Sequence, residues 1–164
     1  MFIRSFAAVA LTLVPAFCGA AQAQALRPYE ERQYGTVSLI PSNWRRIADP
    51  RWEGSRFLSP DGRSSLVLYA LARKDGESVD QHMRWFARLN GEEVTYLKRG
   101  RGWIVVSGYK GDRIYYRKAR LGCGGAVWHH VALEYPAENK RAYDGIVTAI
   151  SQSLQPSVAD DRCG

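Results

Sequence analysis

Apolar and polar positions alternate in short runs along most of the chain, and two stretches switch to helical spacing. Val37 and Leu39 alternate with Ser38 before Pro41 ends the run, which is the period of a half-buried strand. Arg56 to Ser59 predicts a second short strand, turned by Pro60-Asp61-Gly62, where proline presets one dihedral and glycine supplies the positive one. Leu66 to Ala72 is apolar enough to be a strand buried on both faces. Ser78 then opens a helix. Its hydroxyl can cap the free amides, Gln81 stands three residues on as in a capping box, Val79, Met83, Phe86 and Leu89 recur on one face, and Asn90-Gly91 closes it. A second meander follows: Trp103 to Tyr109, Arg113 to Ala119 joined to it by Lys110-Gly111-Asp112, and Ala126 to Tyr135. Pro136 opens a second helix with its apolar stripe at Tyr143, Ile146, Val147, Ile150 and Leu154, and Pro156 stops it. The predicted order, β-β-β-α-β-β-β-α, is that of an α+β fold in which an antiparallel sheet built from two three-strand meanders is covered by two helices.

The first 25 residues follow a different rule. Arg4 gives a short positive start, Phe6 to Val14 are apolar, and Ala-Gln-Ala occurs at both 21–23 and 23–25. This is the layout of a secretory signal peptide, so residues 1–25 are expected to be a cleaved leader and the remainder a periplasmic or secreted protein. Cys18 admits a lipid-anchored export signal as the alternative, against which the bulky Phe17 argues. Residues 26–33 are charged and predict a flexible lead-in, 34–155 a single domain, and 156–164 a C-terminal tail. No later segment has the eighteen or so consecutive apolar residues of a membrane helix, so no integral membrane segment is expected in the mature chain.

Charge and cysteines sharpen that address. The 164-residue chain carries a formal charge of +7, and since Arg4 is the one charge before position 26, the exported part carries +6. Such an excess favours an acidic partner, an envelope protein or an anionic glycan, through a salt-sensitive field, and outside the cell it does not point to nucleic acid. Cleavage would remove Cys18 and leave Cys123 and Cys163. In an oxidising compartment such a pair is expected to form a disulfide, which would tie the tail to Gly122-Cys123-Gly124-Gly125 and stabilise the fold by about 3 to 4 kcal/mol on the chain-entropy model. The alternative is a reactive Cys123 thiol beside His129 or His130.

Ile40-Pro41-Ser42-Asn43-Trp44 and Phe57-Leu58-Ser59-Pro60-Asp61-Gly62, followed by a strand, a capped helix, a second meander and a terminal helix, resemble the PsbP-type fold. That fold includes the extrinsic photosystem II subunit, a Ran-binding nuclear import factor family and periplasmic relatives of the DcrB kind. The stretch Trp103 to Tyr116, with Gly122-Cys123-Gly124 and Leu133-Glu134-Tyr135-Pro136, also resembles exported alphaproteobacterial proteins. The resemblance implies binding or assembly without catalysis and supplies no active-site motif.

Three groups of residues are candidates for chemistry. Alternation along the last strand puts Val127, His129, Val131, Leu133 and Tyr135 on one face and Trp128, His130 and Glu134 on the other, so the adjacent histidines do not share a metal. His129 reads as a hydrogen-bonded core histidine, and Trp128, His130 and Glu134 as a binding patch. Basic and aromatic residues also mix from Lys98 to Arg120, and Arg113, Tyr115 and Arg117 share one strand face, which could be an exposed strip for an acidic partner or a solvated outer face. His82 lacks a His or Glu four residues away, there is no Cys-x-x-Cys, no Gly-x-Ser-x-Gly and no phosphate loop, so no metal or cofactor is called for. The expected function is an exported, non-enzymatic binding or accessory protein of the envelope. The alternative is a small hydrolase-type enzyme using His129 or His130 with Glu134.

Overall fold

The computed structural model describes residues 24–48, 53–87 and 91–157. The export leader and Cys18, and likewise Leu89, Asn90 and Cys163, lie outside the described residues or at their edge: only Gln24 and Ala25 of the leader are described.

Strand-forming runs build two antiparallel sheets. The larger contains β3 (Arg45–Ile47), β4 (Ser55–Leu58), β5 (Ser65–Ala72), β6 (Glu93–Gly100), β7 (Trp103–Lys110), β8 (Arg113–Gly122) and β9 (Val127–Pro136), in the order β3-β4-β5-β9-β8-β7-β6. The smaller pairs β1 (Leu26–Glu31) and β10 (Gln155–Pro156) on either side of β2 (Thr36–Pro41). Helix α1 (Val79–Phe86) lies between the two meanders, and α2 (Lys140–Ser153) follows β9 through one 3-10 turn. The architecture is α+β, two antiparallel sheets with two helices.

β9 sits at the centre of the large sheet and is covered on both faces. Val131, Leu133 and Tyr135 pack with Leu66, Leu68, Phe57 and Ile114 under Ile150 and Leu154, and under Ile40 and Trp44 of and beside the small sheet. On the opposite face Trp128, Tyr115, Ala119, Ile104 and Val106 meet Phe86 of α1, with Val79 and Met83 at the margin. The capping box of α1 is formed as the sequence predicts: the Gln81 amide donates to Ser78 Oγ at 3.1 Å and the Ser78 amide to Gln81 Oε1 at 2.7 Å.

Two departures are informative. The charged stretch 26–33, expected as a flexible lead-in, contains β1, which pairs with β2 from Leu26↔Pro41 to Glu31↔Thr36. Its support is the backbone ladder and one aromatic contact, since Tyr29 meets Phe57 edge-on at 4.9 Å and its hydroxyl lies 2.8 Å from Ser55 Oγ. The second meander has four strands, because β6 precedes β7. Seven of its eight residues are exposed, so burial imposes no alternation that a sequence could display.

Candidate functional site

The β8–β9 register brings the six candidate residues onto one face. Tyr115 stands opposite Glu134, Arg117 opposite Ala132 and Arg113 opposite Pro136, with Trp128 and His130 further along. The face is not the exposed strip that the alternation allowed. Tyr115 is 1% and Arg117 7% exposed, and Trp128 and His130 are fully buried. The cause is α1, which lies over this half of the sheet; strand alternation reports which residues share a face and is silent on what covers it.

Arg117 is satisfied inside the protein. Its guanidinium makes a two-pronged ion pair with Glu92, Nη1 to Oε2 at 2.8 Å and Nη2 to Oε1, and lies 4.6 Å from the centroid of the Tyr115 ring. Arg113 and Glu134, both partly exposed at the rim, approach to 3.8 Å. His130 stacks on Tyr69 at 4.4 Å with the rings 2° from parallel, and neither ring nitrogen has a hydrogen-bond partner among the described residues. Burial holds its pKa well below the ordinary imidazole value, with His82 and His129 adding to the effect, so the ring is neutral. Tyr69 is pushed up to about 12 by burial, against the opposing pull of Arg117.

Two residues outside the sequence candidates organise this region. Glu77, just before the helix cap, accepts a hydrogen bond from Trp128 Nε1 at 3.0 Å on one carboxylate oxygen and holds His82 Nδ1 at 3.2 Å on the other. His82 in turn stacks on Trp128 at 4.2 Å and its centroid lies 5.2 Å from that of His130. One carboxylate thus pins the start of α1 to the central strand. The signal was hidden because the His82 partner stands five residues earlier in a loop, outside the helical i,i+4 spacing.

A cleft of about 440 Å³ opens beside this cluster, with Glu77, His82, Trp85, Leu71, Lys74 and Asp75 among its walls. Its lining contains neither a hydroxyl nor a thiol. His130 and His129 do not reach it: His130 is sealed beneath α1, and His129, on the opposite face, shares a 2.8 Å hydrogen bond with Thr36 Oγ1. Among the described residues no group of three or more His, Cys, Asp or Glu could hold a metal. The His129 or His130 enzyme therefore lacks the access that its chemistry needs.

The accessible basic and aromatic residues lie elsewhere, on the opposite face of β6, β7 and the outer end of β8, here called the wing. Rows across it run Lys98–Val105–Lys118 and Gly100–Trp103–Arg120. Trp103, 38% exposed, lays its indole over Gly100, where an added Cβ would fall 2.1 Å from Nε1, so the bare backbone is what seats the ring. Trp103, Val105, Lys118 and Arg120 line a groove of about 270 Å³. Lys118 Nζ donates to the Ser151 carbonyl at 2.6 Å and Arg120 Nη1 to the Leu154 carbonyl at 3.3 Å, closing the negative end of α2. Burial, with Arg120 nearby, lowers the Lys118 pKa.

At the glycine-rich bend, Cys123 takes φ 53 and Gly124 and Gly125 take φ 61 and 97, so the chain turns through three left-handed residues. Cys163 lies outside the described residues.

Comparison with known proteins places the fold. No protein-family model matches the chain, and no curated protein matches it in sequence. Among solved structures, cyanobacterial PsbP from Synechocystis sp. PCC 6803 is similar with a TM-score of 0.63 at 11% identity, over 85% of this chain and 96% of that one. The Saccharomyces cerevisiae Ran-binding protein Mog1p is similar with a TM-score of 0.60 at 10% identity, over 85% of this chain and 98% of the other. A mutant of Mog1 gives 0.59 at 9% identity over 82% and 98%. The chain has the PsbP-like fold shared by these proteins.

Proposed function

We propose that the protein is an exported accessory protein of the cell envelope that holds an acidic partner without chemical turnover. The observation that carries this reading is the wing: Lys98 and Arg101 are exposed, have no ion-pair partner among the described residues and lie on the strand edge that also carries the exposed rings of Tyr96 and Trp103. Uncompensated surface cations beside aromatic area suit recognition of carboxylates on a protein surface. Export is supported by the cleavable layout of residues 1–25, and a Cys123–Cys163 bridge would then brace the tail against the left-handed bend. The yeast neighbour, named for Ran binding, adds support for a binding role of the fold.

The test is site-specific photo-crosslinking in the native envelope with the crosslinker in place of Trp103, and in a control in place of Arg63 far from the wing. A shortened, exported protein that crosslinks from position 103 in a salt-sensitive manner, and not from 63, is expected. A full-length cytoplasmic protein, or equal crosslinking from both positions, would overturn the reading.

A further inference from the structure

Glu77 stands in the wall of the cleft beside α1 with a carboxylate that meets no cation. The side chain is 14% exposed and accepts from two neutral groups, Trp128 Nε1 at 3.0 Å and His82 Nδ1 at 3.2 Å. His82 is neutral because burial lowers its pKa, against the opposing pull of Glu77. A carboxylate has about four acceptor positions, so about half of its capacity is unused. Arg73 does not fill the gap: its guanidinium is committed to main-chain carbonyls, to that of Glu77 through Nε at 2.8 Å and through Nη2, and to that of Gly125 through Nη1 at 3.3 Å. Lys74 and Asp75, both exposed, offset one another toward solvent, which leaves the Glu77 charge unmatched among the residues of the wall. His82, 3% exposed, also has Nε2 without a partner among the described residues. A carboxylate this far withdrawn from water is costly until a cation meets it.

The rest of the wall is apolar and partly open. Trp85 is 53% exposed, more than any other large apolar side chain among the described residues, and its ring centroid lies 5.2 Å from that of His82. Leu71, 38% exposed, stands opposite Trp128 in the β5–β9 register, so it lies on the α1 face of the sheet near the end of β5. The volume of about 440 Å³ is that of a small-molecule cleft. We propose that this cleft binds a small aromatic amine, whose protonated amino group donates to Glu77 while its ring lies between Trp85 and Leu71. Charge-assisted hydrogen bonding at one end and ring contact at the other orient such a molecule. An anionic ligand would set like charge against Glu77, and a neutral one would leave the carboxylate unpaired. The inference goes beyond the accessory reading and is independent of it, since the cleft is on the α1 face of the sheet and the wing on the other.

The test is calorimetric titration of the purified protein with 2-phenylethylamine and three small relatives. These are 2-phenylethanol, which lacks the charge, 3-phenylpropionate, which reverses it, and butylamine, which keeps the ammonium of a lysine side chain and lacks the ring. The aromatic amine should bind at least about tenfold more tightly than each of the three. Trp85→Ala should weaken it about tenfold with the fold kept, since the indole is largely in water, and Trp85→Phe should return the affinity to within about threefold. Glu77→Gln should abolish binding. Because it also loosens the tie between α1 and Trp128, its melting curve is recorded, and if it does not fold the ligand series and Trp85→Ala decide. Lys98→Glu, on the opposite face, should change nothing. Binding of the alcohol or the carboxylate as tight as that of the amine would overturn the proposal, because the Glu77 charge would then not be read. Equal binding of butylamine would also overturn it and make the cleft a seat for a lysine side chain of a partner. Unchanged affinity in Trp85→Ala, or no binding of the aromatic amine below about 10 mM, would equally overturn it.

Discussion

β9 and β6 belong to the same sheet and are built on opposite principles. Val127 to Val131 of β9 are buried without a break, on both faces, whereas Glu93 to Arg99 of β6 are exposed without a break, also on both faces. The central strand is closed in along Val127 to Val131, with α1 over Trp128 and His130 and with β2 reaching His129 through Thr36. The edge strand is bound to the fold by its ladder to β7 and, apart from Arg99, which pairs with Asp80, turns its side chains to solvent. Polar residues follow a similar division: Arg117, His82 and Trp128 are held by Glu92 and Glu77 inside the fold, whereas Lys98 and Arg101 on the wing are exposed with no ion-pair partner among the described residues. That is why Tyr115, Arg117, Trp128 and His130, chosen for their chemistry along β8 and β9, lie buried, while Arg113 and Glu134 stand at the partly exposed rim and the accessible cations Lys98 and Arg101 lie elsewhere.

The largest expected effect tests the closed half. Trp128→Ala should destabilise the protein by about 3 to 5 kcal/mol, because it empties a fully buried site and leaves Glu77 without its indole donor. Trp103→Ala should cost far less, about 1 kcal/mol or below, since its ring is partly in water. Denaturant midpoints of the two variants, at equal m-value, measure the contrast, and equal losses would break it.

The buried ion pair comes next. Arg117→Met should cost about 3 kcal/mol by leaving the Glu92 carboxylate unpaired in the interior, and Arg117→Met with Glu92→Leu should recover most of that loss. A double variant as unstable as the single one would show that the guanidinium acts mainly through its stacking on Tyr115.

Much of this fold is legible along the chain, for identifiable reasons. β5, β7 and β9 carry runs that water excludes, and α1 announces itself through Ser78 and Gln81. β6 is not legible because nothing on either face selects its side chains, and β1 because a backbone ladder leaves little mark on sequence. The face shared by Trp128, His130 and Glu134 follows from a period of two. Its burial does not, because the covering helix is some forty residues earlier in the chain and its position is set by Glu77 reaching Trp128 across 51 residues. The burial of Tyr115 and Arg117 on the same face is hidden from the sequence in the same way, while Arg113 stays partly exposed.

Acid should separate the two regions by a smaller margin. His82 and His130 are buried and their pKa values are lowered, chiefly by desolvation, with the Glu77 carboxylate partly opposing the shift at His82. A histidine whose folded pKa lies below its unfolded value contributes fully above the unfolded pKa, about 6.5, and loses that contribution as pH falls toward the folded value. Unfolding free energy should therefore fall below about pH 6.5, and His130→Phe should flatten that decline while remaining folded at pH 7. An unchanged acid profile in His130→Phe would place the proton uptake elsewhere.

The smallest effect on stability, and the one that speaks most directly to function, belongs to the wing. Lys98 and Arg101 are exposed, neither caps a helix, and neither has an ion-pair partner among the described residues; Lys98 has its ammonium 5.5 Å from the Tyr96 ring centroid. Reversing both to glutamate should shift stability by only about 0.5 kcal/mol, because the change occurs in water, where charges are screened and no packing is lost. Partner capture should weaken and its salt dependence flatten, since the attraction comes from these fixed charges and not from contact area. The same reversal at Arg45 and Arg46 of β3, at the far edge of the same sheet, changes net charge equally and serves as the control. If both pairs weaken capture alike, the protein attracts its partner through its overall field and the distinction between a committed centre and a free wing has no functional meaning; if only the wing pair does, the edge strand is where the partner is read.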